Sequence, residues 1–593
     1  MTGGNDITKN TAGVTISLVT KRGSNEPRGS ARFLLTEGDG YFGVLEQAES
    51  GFDPDDLGPG QDDFVGNSID RLQEYGFEAG GPAWRNHLWL WGAWSQRNLS
   101  KIAGNAEPEL FVLESEAIKV NAQLSAANSL VASFNNTDKR AAGRGAAPNR
   151  DRSSTLNQRG PTGITKVEDS HVFGSSFFLS GAYSYVDGGF EFAALGGSGP
   201  DRPPIPGPGG EKNRDANGFV TNQFSGKTST PHEMVKVDAS YFLSTGGVGH
   251  EVRFGGRLRE TQRSSTFSYP GRNIIHYHRD AAFEILITPD LLEMFGLSPT
   301  RLPDAHLLYA YRGGAAAPSV VDSRSLWLQD TLTWSRWTVN AGLRYDFEEG
   351  ENRAATVEAN LGFPEVMPSI EFEGNDGGGF TWETLSPRLG VTYALGVERK
   401  TLLRASLSRF PESLVHGDIR RTNPVSGQLA AMVFLDEPGG FPAFYDDGET
   451  FAVIGGFFGF DPDNPTALSS SNITDPEFAP ALLDELVVGV EHAFLPEFVT
   501  GINLTWRRNE RIGEDQPLFR DSLTGEIRTV AADEYLFAGQ ITGELPDGTP
   551  YSWDRFAVPP HLQATGGDFL THGDRSIESF SAALSFTKRL SNR

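Results

Sequence analysis

The sequence predicts an all-β chain that forms a transmembrane, antiparallel, up-and-down β-barrel. Three observations carry this prediction. Apolar and polar residues alternate at period two in segment after segment, and the connections between these segments alternate between very short and very long. The most apolar stretches, Leu88 to Trp94 and Phe451 to Phe460, fall far short of the roughly 20 residues that a membrane-spanning helix needs. Any membrane crossing is therefore expected to be made by strands.

Composition and charge narrow the functional classes. The 593 residues include 69 glycines and 35 prolines, which indicates many turns, and Phe dominates the aromatic residues. Acidic residues outnumber basic residues by 77 to 51, so the net charge of -26 argues against a nucleic-acid groove, which needs a basic face. The lack of cysteine excludes disulfide bonds, thiolate metal sites and cysteine nucleophiles.

The clearest strand pattern runs from Trp337 to Phe347. Every second residue in this segment is apolar, whereas the residues between them are Thr, Asn, Gly, Arg and Asp. A length of about ten residues matches a tilted transmembrane strand. The same alternation recurs at 235–243, 252–259, 486–490, 502–506 and 580–586.

The connections between the predicted strands are of two kinds. Short turns are expected at 83–86, 126–128, 174–176, 245–247, 335–336, 396–398 and 495–497. Long stretches rich in Gly, Pro and Asp lie at 37–69, 99–115, 139–161, 188–231, 269–321, 350–381, 411–482 and 512–574. Compact soluble domains rarely contain structureless loops beyond about 15 residues. Short periplasmic turns opposite long extracellular loops are typical of outer-membrane barrels, and the aromatic residues beside several turns fit an interfacial girdle.

Pairing the segments around these turns predicts about sixteen strands. The first lies near Arg28 to Thr36 and the last near Ser576 to Thr587. Sixteen is the size of a general porin, so the count permits a complete water-filled channel. The residues after the last strand, Lys588 to Arg593, instead indicate the start of another short turn. We expect about 16 strands of a barrel of about 22.

Several motifs resemble TonB-dependent receptors. The opening from Gly13 to Gly23 resembles the stretch that closes the plug domain of these receptors, and Asn25 to Phe33 looks like their first barrel strand. Three further regions are similar to the Oar-like branch of the family: 78–94, 329–346 and 386–406. The likeness covers almost the whole chain, and the order and spacing of the segments are more specific than any one of them.

The resemblance implies a domain division and a function. Residues 1–27 would be the C-terminal remnant of a plug domain, and residues 28–593 a partial barrel. The family takes up bulky ligands across the outer membrane of Gram-negative-type bacteria, with release powered through the periplasmic TonB complex. The implied partners are outer-membrane lipid, the TonB complex and an unknown extracellular ligand, and no nucleic acid is expected among them. The resemblance implies neither a cofactor nor an enzymatic activity. Because Met1 to Gly13 lacks a signal-peptide pattern and a TonB-contacting segment, we expect a fragment without most of the plug and the last strands.

No catalytic, cofactor-binding or metal-binding residues are predicted, but one cluster faces the expected lumen. Arg253, Arg257 and Arg259 share the polar face of one predicted strand. They would contact an anionic substrate or acidic groups of the plug, or else only keep the lumen wet.

Weaker candidates lie in the predicted loops. His276 and His278 share a strand face but lack a third metal ligand. The segment Asp461 to Asn464 offers oxygen ligands for calcium without an EF-hand pattern, so a solvated acidic loop is the favoured interpretation. The aromatic segments 441–445 and 457–460 are plausible contacts of an outer vestibule.

Two other functions remain open at this point. A passive sixteen-stranded porin would need no plug, and the segment from Val14 to Gly23 argues against it. A secreted β-rich adhesin or glycan-binding protein would pack its apolar strand faces into a dry core, and solubility without detergent would favour it.

Overall fold

The structure is a computed structural model. It describes residues 6–11, 19–37, 68–102, 108–146, 155–195, 225–269, 273–277, 298, 300, 305–425, 428–435, 452–458, 460, 463–468, 470–495, 497–545, 548–573 and 575–588.

Strands account for most of the described residues. In chain order they are β1 (Arg28–Glu37), β2 (Ser68–Trp84), β3 (Leu88–Ile102), β4 (Glu109–Ser125), β5 (Asn128–Arg144), β6 (Leu156–Phe173), β7 (Phe177–Ala194), β8 (Ser225–Ser229), β9 (His232–Thr245), β10 (Val248–Ser268), β11 (Ile274–Tyr277), β12 (Ala305–Tyr311), β13 (Gly314–Trp334) and β14 (Trp337–Val357). They continue with β15 (Ile370–Asn375), β16 (Thr381–Leu395), β17 (Thr401–Pro411), β18 (Leu429–Leu435), β19 (Ala452–Phe458), β20 (Ile473–Thr474), β21 (Leu482–Leu495), β22 (Phe498–Glu510), β23 (Gly513–Asp521), β24 (Ile527–Arg528), β25 (Leu536–Glu544), β26 (Pro550–Ala557), β27 (Leu562–His572) and β28 (Ile577–Lys588). A six-residue helix, α1 (His416–Arg421), follows β17.

One antiparallel sheet of 18 strands dominates the molecule. Each of its long strands pairs with the next one along the chain, which is up-and-down topology. Two of the 18, β8 and β15, only continue the lines of β9 and β16, which leaves sixteen strand positions. The predicted fold class and the predicted count of strands are confirmed. Within the described residues, β1 pairs with β2 alone and β28 with β22 alone.

The two faces of the sheet carry opposite kinds of side chain. On β13, Leu326 is 63% exposed and points outward, whereas the adjacent Ser325 is 2% exposed and points inward. On β16, Leu385 and Leu389 are exposed while Arg388 between them in the alternation is buried. An apolar exterior around a polar interior is the reverse of a soluble sandwich and is the arrangement of a membrane barrel. We call the polar side of the 18-stranded sheet the inner face.

Aromatic side chains gather at the end of the sheet that carries the short turns. Trp337 packs against Tyr393 with ring centroids 4.4 Å apart, and Phe498 lies between Phe494 and Phe586 at 6.3 and 6.4 Å. Because amphipathic and aromatic rings prefer the membrane–water interface, this belt marks one boundary of the apolar band. All seven short turns expected from the sequence join paired strands at this end.

The long connections contain more regular structure than the sequence predicted. Strands β3, β4, β5, β6 and β14 extend well into stretches expected to be loops, because backbone ladders need no apolar face outside the lipid. The connections 411–482 and 512–574 contribute to two four-stranded sheets, β11-β12-β18-β19 and β20-β27-β23-β24, and 512–574 also forms the hairpin β25-β26. The expectation of structureless loops there was wrong. Among the described residues, no helix is both long enough and apolar enough to cross a membrane.

Candidate functional site: the inner face and the segment bound to it

The inner face of β13 and β14 centres on a fully buried arginine. Arg344 donates from Nε to Asp346 Oδ2 at 2.7 Å and from Nη2 to Asp346 Oδ1 at 2.6 Å. Its Nη2 also donates to Ser325 Oγ at 2.8 Å. Asp346 stands two residues beyond Arg344 in the same strand, so the period of two places both side chains on one face. The bidentate ion pair neutralises both charges where water is excluded.

A chain segment that precedes β1 lies against this arginine. Arg344 Nη1 donates to the carbonyl oxygens of Ile7 and Thr8 at 3.3 and 3.2 Å. Arg388 on β16 donates to the carbonyl oxygens of Asp6 and Lys9 at 3.1 and 2.6 Å. Ile7 is fully buried, and its Cδ1 would lie 3.2 Å from a Cβ added at Gly342. The segment 6–11 therefore lies against the inner face of the sheet.

Local hydrogen bonds shape this segment for its place. Asp6 Oδ1 accepts hydrogen bonds from the backbone N–H of Thr8 at 3.0 Å and from its hydroxyl at 2.8 Å. The N–H of Lys9 donates to the Asp6 carbonyl at 3.0 Å. This Asx-type turn directs successive carbonyl oxygens to the two arginines. We call residues 6–11 the inner segment.

Residues 20–25 follow the inner face of β2 to β4 toward the short turns. Lys21 pairs with Glu78, and Lys119 Nζ donates to the carbonyl and hydroxyl oxygens of Thr20, both at 3.2 Å. Asn25 Oδ1 accepts from the indole N–H of Trp89 at 2.9 Å. Gly23 lies so close to the β3 backbone that a side chain there would collide with the carbonyl of Leu90.

The three arginines singled out in the sequence lie on the inner face of β10. Arg253 is 3.5 Å from Asp6 Oδ1 and 3.6 Å from Asp238 Oδ1. Arg257 donates to Ser325 Oγ at 3.3 Å. Arg259 donates to Ser323 Oγ at 3.4 Å and lies 3.9 Å from Glu348. The structure thus brings all three to the region that holds the inner segment.

Sequence reasoning missed Arg344 and Arg388 as contacts of the chain's own N-terminal region. The available signal was the Arg-x-Asp spacing of Arg344 and Asp346 on the polar face of this strand, because a buried charge needs a partner. Nothing local in the sequence pairs either arginine with backbone carbonyls 336 or more residues away.

An apolar cluster closes over the inner face at the end with the long connections. Ile419 of α1 and Leu414 before it pack against Val321 and Trp382 of the sheet and against Phe380, which precedes β16. The tightness of this contact shows at Gly350, where an added Cβ would lie 2.6 Å from Ile419 Cδ1. The carboxylate of Glu348 accepts from the N–H of Leu414 at 2.7 Å, which ties the connection to β14.

His416 at the start of α1 links the residues of this apolar cluster to β13. Its Nδ1 lies 3.0 Å from Ser319 Oγ. Burial, together with the positive charges of Arg263, Arg420 and Arg259, lowers the pKa of His416 to about 4. The imidazole is therefore neutral at neutral pH, as its place among three arginines requires.

The weaker candidates from the sequence have no support as a site. His276 lies in β11 opposite Leu308, whereas His278 lies outside the described residues, as do Asp461, Pro462 and the segment 441–445. Asp463 and Asn464 belong to a turn. No group of three potential metal ligands occurs in the described part of the chain.

The sequence profile of the family described as "Outer membrane beta barrel domain" matches residues 105–503, more than half of the chain. The chain belongs to this family. The protein therefore lies in the outer membrane, with its exposed apolar side chains toward lipid. We call it the outer-membrane barrel. No curated protein matches its sequence.

Several solved structures are similar to the outer-membrane barrel in fold. The outer membrane transporter YddB from Escherichia coli is 10% identical with a TM-score of 0.48, over 87% of this chain and 52% of that one. The alcaligin outer membrane receptor FauA from Bordetella pertussis is 12% identical with a TM-score of 0.43, over 87% and 63%. The siderophore receptor PiuA from Acinetobacter baumannii is 11% identical with a TM-score of 0.41, over 88% and 80%. The barrel thus spans about half to two thirds of the first two chains.

Proposed function

We propose that this outer-membrane barrel is part of a TonB-dependent receptor that takes up a bulky ligand from outside the cell. The observation that carries the proposal is the inner segment, which four hydrogen bonds from Arg344 and Arg388 hold inside the barrel. A passive porin has no need of a chain segment that precedes its first strand and binds within its lumen. A plugged receptor does need one.

The proposal includes the domain division expected from the sequence. Residues 1–27 are the end of a plug domain, and residues 28–593 are barrel, with the sixteen strand positions belonging to a barrel of about 22. The resemblance of 13–33 to TonB-dependent receptors, and of 78–94, 329–346 and 386–406 to their Oar-like branch, supports this division. The run of contacts from Thr20 to Asn25 along β2 to β4 supports it as well, since these residues lie on the inner face directly before β1.

The proposal is tested by comparing two deletions in the bacterium that encodes this chain, one of its gene and one of TonB. Growth on a panel of scarce large nutrients is measured for each strain. We expect loss of the gene to reproduce a subset of the defects caused by loss of TonB, because both remove energised uptake. A defect confined to small solutes that does not depend on TonB would instead identify a porin.

A further inference from the structure

Four arginines stand in line on the inner face of β10. Arg253, Arg257, Arg259 and Arg263 are separated by even numbers of residues and therefore share one face of this strand, before its bulge between Arg263 and Ser265. At about 3.3 Å per residue the line extends over roughly 33 Å, from near the short-turn end toward the long connections. We call these four residues the β10 arginine column.

The column is paired more weakly than Arg344 and Arg507, two other arginines of the inner face. Within the described chain, its contacts with oxygen atoms are those of Arg253, Arg257 and Arg259, all between 3.3 and 3.9 Å, and Arg263 has no ion pair there. Arg344 and Arg507, by contrast, each hold a carboxylate at 2.6 to 2.8 Å. The column therefore retains hydrogen-bonding capacity that its neighbours have used.

Buried donor groups give independent evidence for this spare capacity. The Nε atoms of Arg257 and Arg259 are both shielded from solvent and have no acceptor among the residues that the structure describes. A guanidinium offers five N–H donors, and a buried donor without an acceptor costs free energy that a bound anion would recover. Both atoms lie in the middle of the column.

The surrounding charges favour an anion at the outer end of the column. Arg263 stands opposite Ser319, whose hydroxyl contacts His416, and Arg420 of α1 adds a further positive charge. The nearby Glu348 is already engaged by Ser323 and by the N–H of Leu414. Such a concentration of positive charge in a chain with a net charge of -26 raises the local concentration of anions.

We propose that the β10 arginine column is a binding path for the oxyanion groups, carboxylate or phosphate, of the ligand that this barrel admits. The inference rests on the proposed uptake function. The planar fork of each guanidinium matches the geometry of an oxyanion. Because successive arginines are two to four residues apart, a bound anion can move from one to the next toward the inner end. At the inner end, an anion on Arg253 competes with Asp6 and so weakens one contact of the inner segment.

The test measures anion binding by the purified full chain in detergent, using isothermal titration calorimetry at low ionic strength, where screening is weak. The probes are citrate and inorganic phosphate. Relative to the unaltered chain, the double variant Arg257→Gln/Arg259→Gln is expected to bind at least about tenfold more weakly, since charge-assisted hydrogen bonds are lost. The matched control is Arg324→Gln, because Arg324 lies opposite Leu258 in register and points outward.

Two more variants guard against a folding defect. Arg263→Gln changes an exposed side chain and is expected to weaken binding with little effect on folding. Arg257→Lys/Arg259→Lys keeps the charge without the fork and is expected to restore part of the affinity. The tighter of the two probes identifies the preferred oxyanion group.

The proposal is overturned if the unaltered chain binds neither probe, or if the Gln variants bind as tightly as the Arg324→Gln control. The measurement involves no TonB. Anion binding without a growth defect shared with the TonB deletion would therefore refute only the proposed uptake function. A shared growth defect without anion binding would refute only the proposed binding path.

Discussion

Arg344 and Arg404 are inner-face arginines that each hold one carboxylate, but their surroundings differ. Arg344 is fully buried and also binds Ser325 and the inner segment. Arg404 pairs with Glu491 at 2.9 Å, and both side chains remain partly exposed. Solvent screens the second pair, whereas the loss of one partner from the first leaves an uncompensated buried charge.

This difference predicts unequal effects of the same substitution. Arg344→Gln is expected to lower the free energy of unfolding by about 3–5 kcal/mol, because Asp346 loses its partner. Arg404→Gln is expected to cost about 1 kcal/mol or less. Urea unfolding of the vesicle-embedded protein measures both, and equal effects of the two substitutions would refute the assignment of Arg344 as the buried anchor.

The burial of His416 predicts that the stability of the apolar cluster over the inner face depends on pH. Its pKa in the folded protein, about 4, lies below the ordinary value of 6.5, so the stability it supports is complete above pH 6.5 and falls as the pH drops toward 4. Hydrogen exchange of residues 414–421, corrected for intrinsic rates, is expected to be faster at pH 5 than at pH 7.5. Arg259, Arg263 and Arg420 are the charges that oppose protonation.

The control for this experiment is His416→Gln, which should remove the pH-dependent loss of protection. Burial raises the pKa of Asp418 and of Glu412, and these carboxyl groups act in the opposite direction, gaining protons in the folded state as the pH falls. An unchanged acid response in His416→Gln would assign the effect to other groups.

At the scale of elements, α1 depends on packing because a helix of six residues is too short to be stable alone. Its anchor is Ile419, which is fully buried in the apolar cluster. Ile419→Ala is expected to cost about 2–5 kcal/mol of local stability through the cavity it leaves. The expected result is faster hydrogen exchange in 414–421 and around Leu570.

Val415→Ala provides the matched control for Ile419→Ala, since Val415 precedes the same helix but is exposed. It is expected to change stability by less than about 0.5 kcal/mol. If both substitutions left hydrogen exchange unchanged, the apolar cluster would not be what holds the connection 411–482 against the sheet.

At the scale of the whole molecule, lipid around the barrel predicts an asymmetry between adjacent residues of β4. Ile118 is 58% exposed and points outward near the middle of the strand, whereas Ala117 shares the inner face with Lys119. Ile118→Arg is expected to cost about 2–4 kcal/mol of folding free energy in vesicles, because arginine is poorly accommodated in the bilayer. Ala117→Arg should cost far less.

Folding yields of these two variants in lipid vesicles, measured by heat-dependent gel mobility, test the orientation of the sheet. Equal yields would argue against lipid contact at Ile118. The same variants in detergent provide a reference for effects on the strand itself.

The local alternation of apolar and polar residues predicts where the strands and short turns lie along the chain and how many strands the sheet contains. From 337 to 347 the alternation alone assigns each side chain to a face, because the period of two is a property of the extended backbone. The same reasoning put Arg253, Arg257 and Arg259 on one polar face, where the structure has them. It also placed Ser335 and Arg336 in the turn that joins β13 and β14.

The rest depended on contacts between distant parts of the chain. Composition suggested loops at 411–482 and 512–574, but β18 pairs with β12 across a long stretch of sequence and β20 pairs with β27 in parallel. Likewise, Arg344 gains its role from Ile7, 337 residues away. Local alternation decides which face a side chain takes, whereas the tertiary structure alone decides what meets it there, because an interior brings together strands from the whole length of the chain.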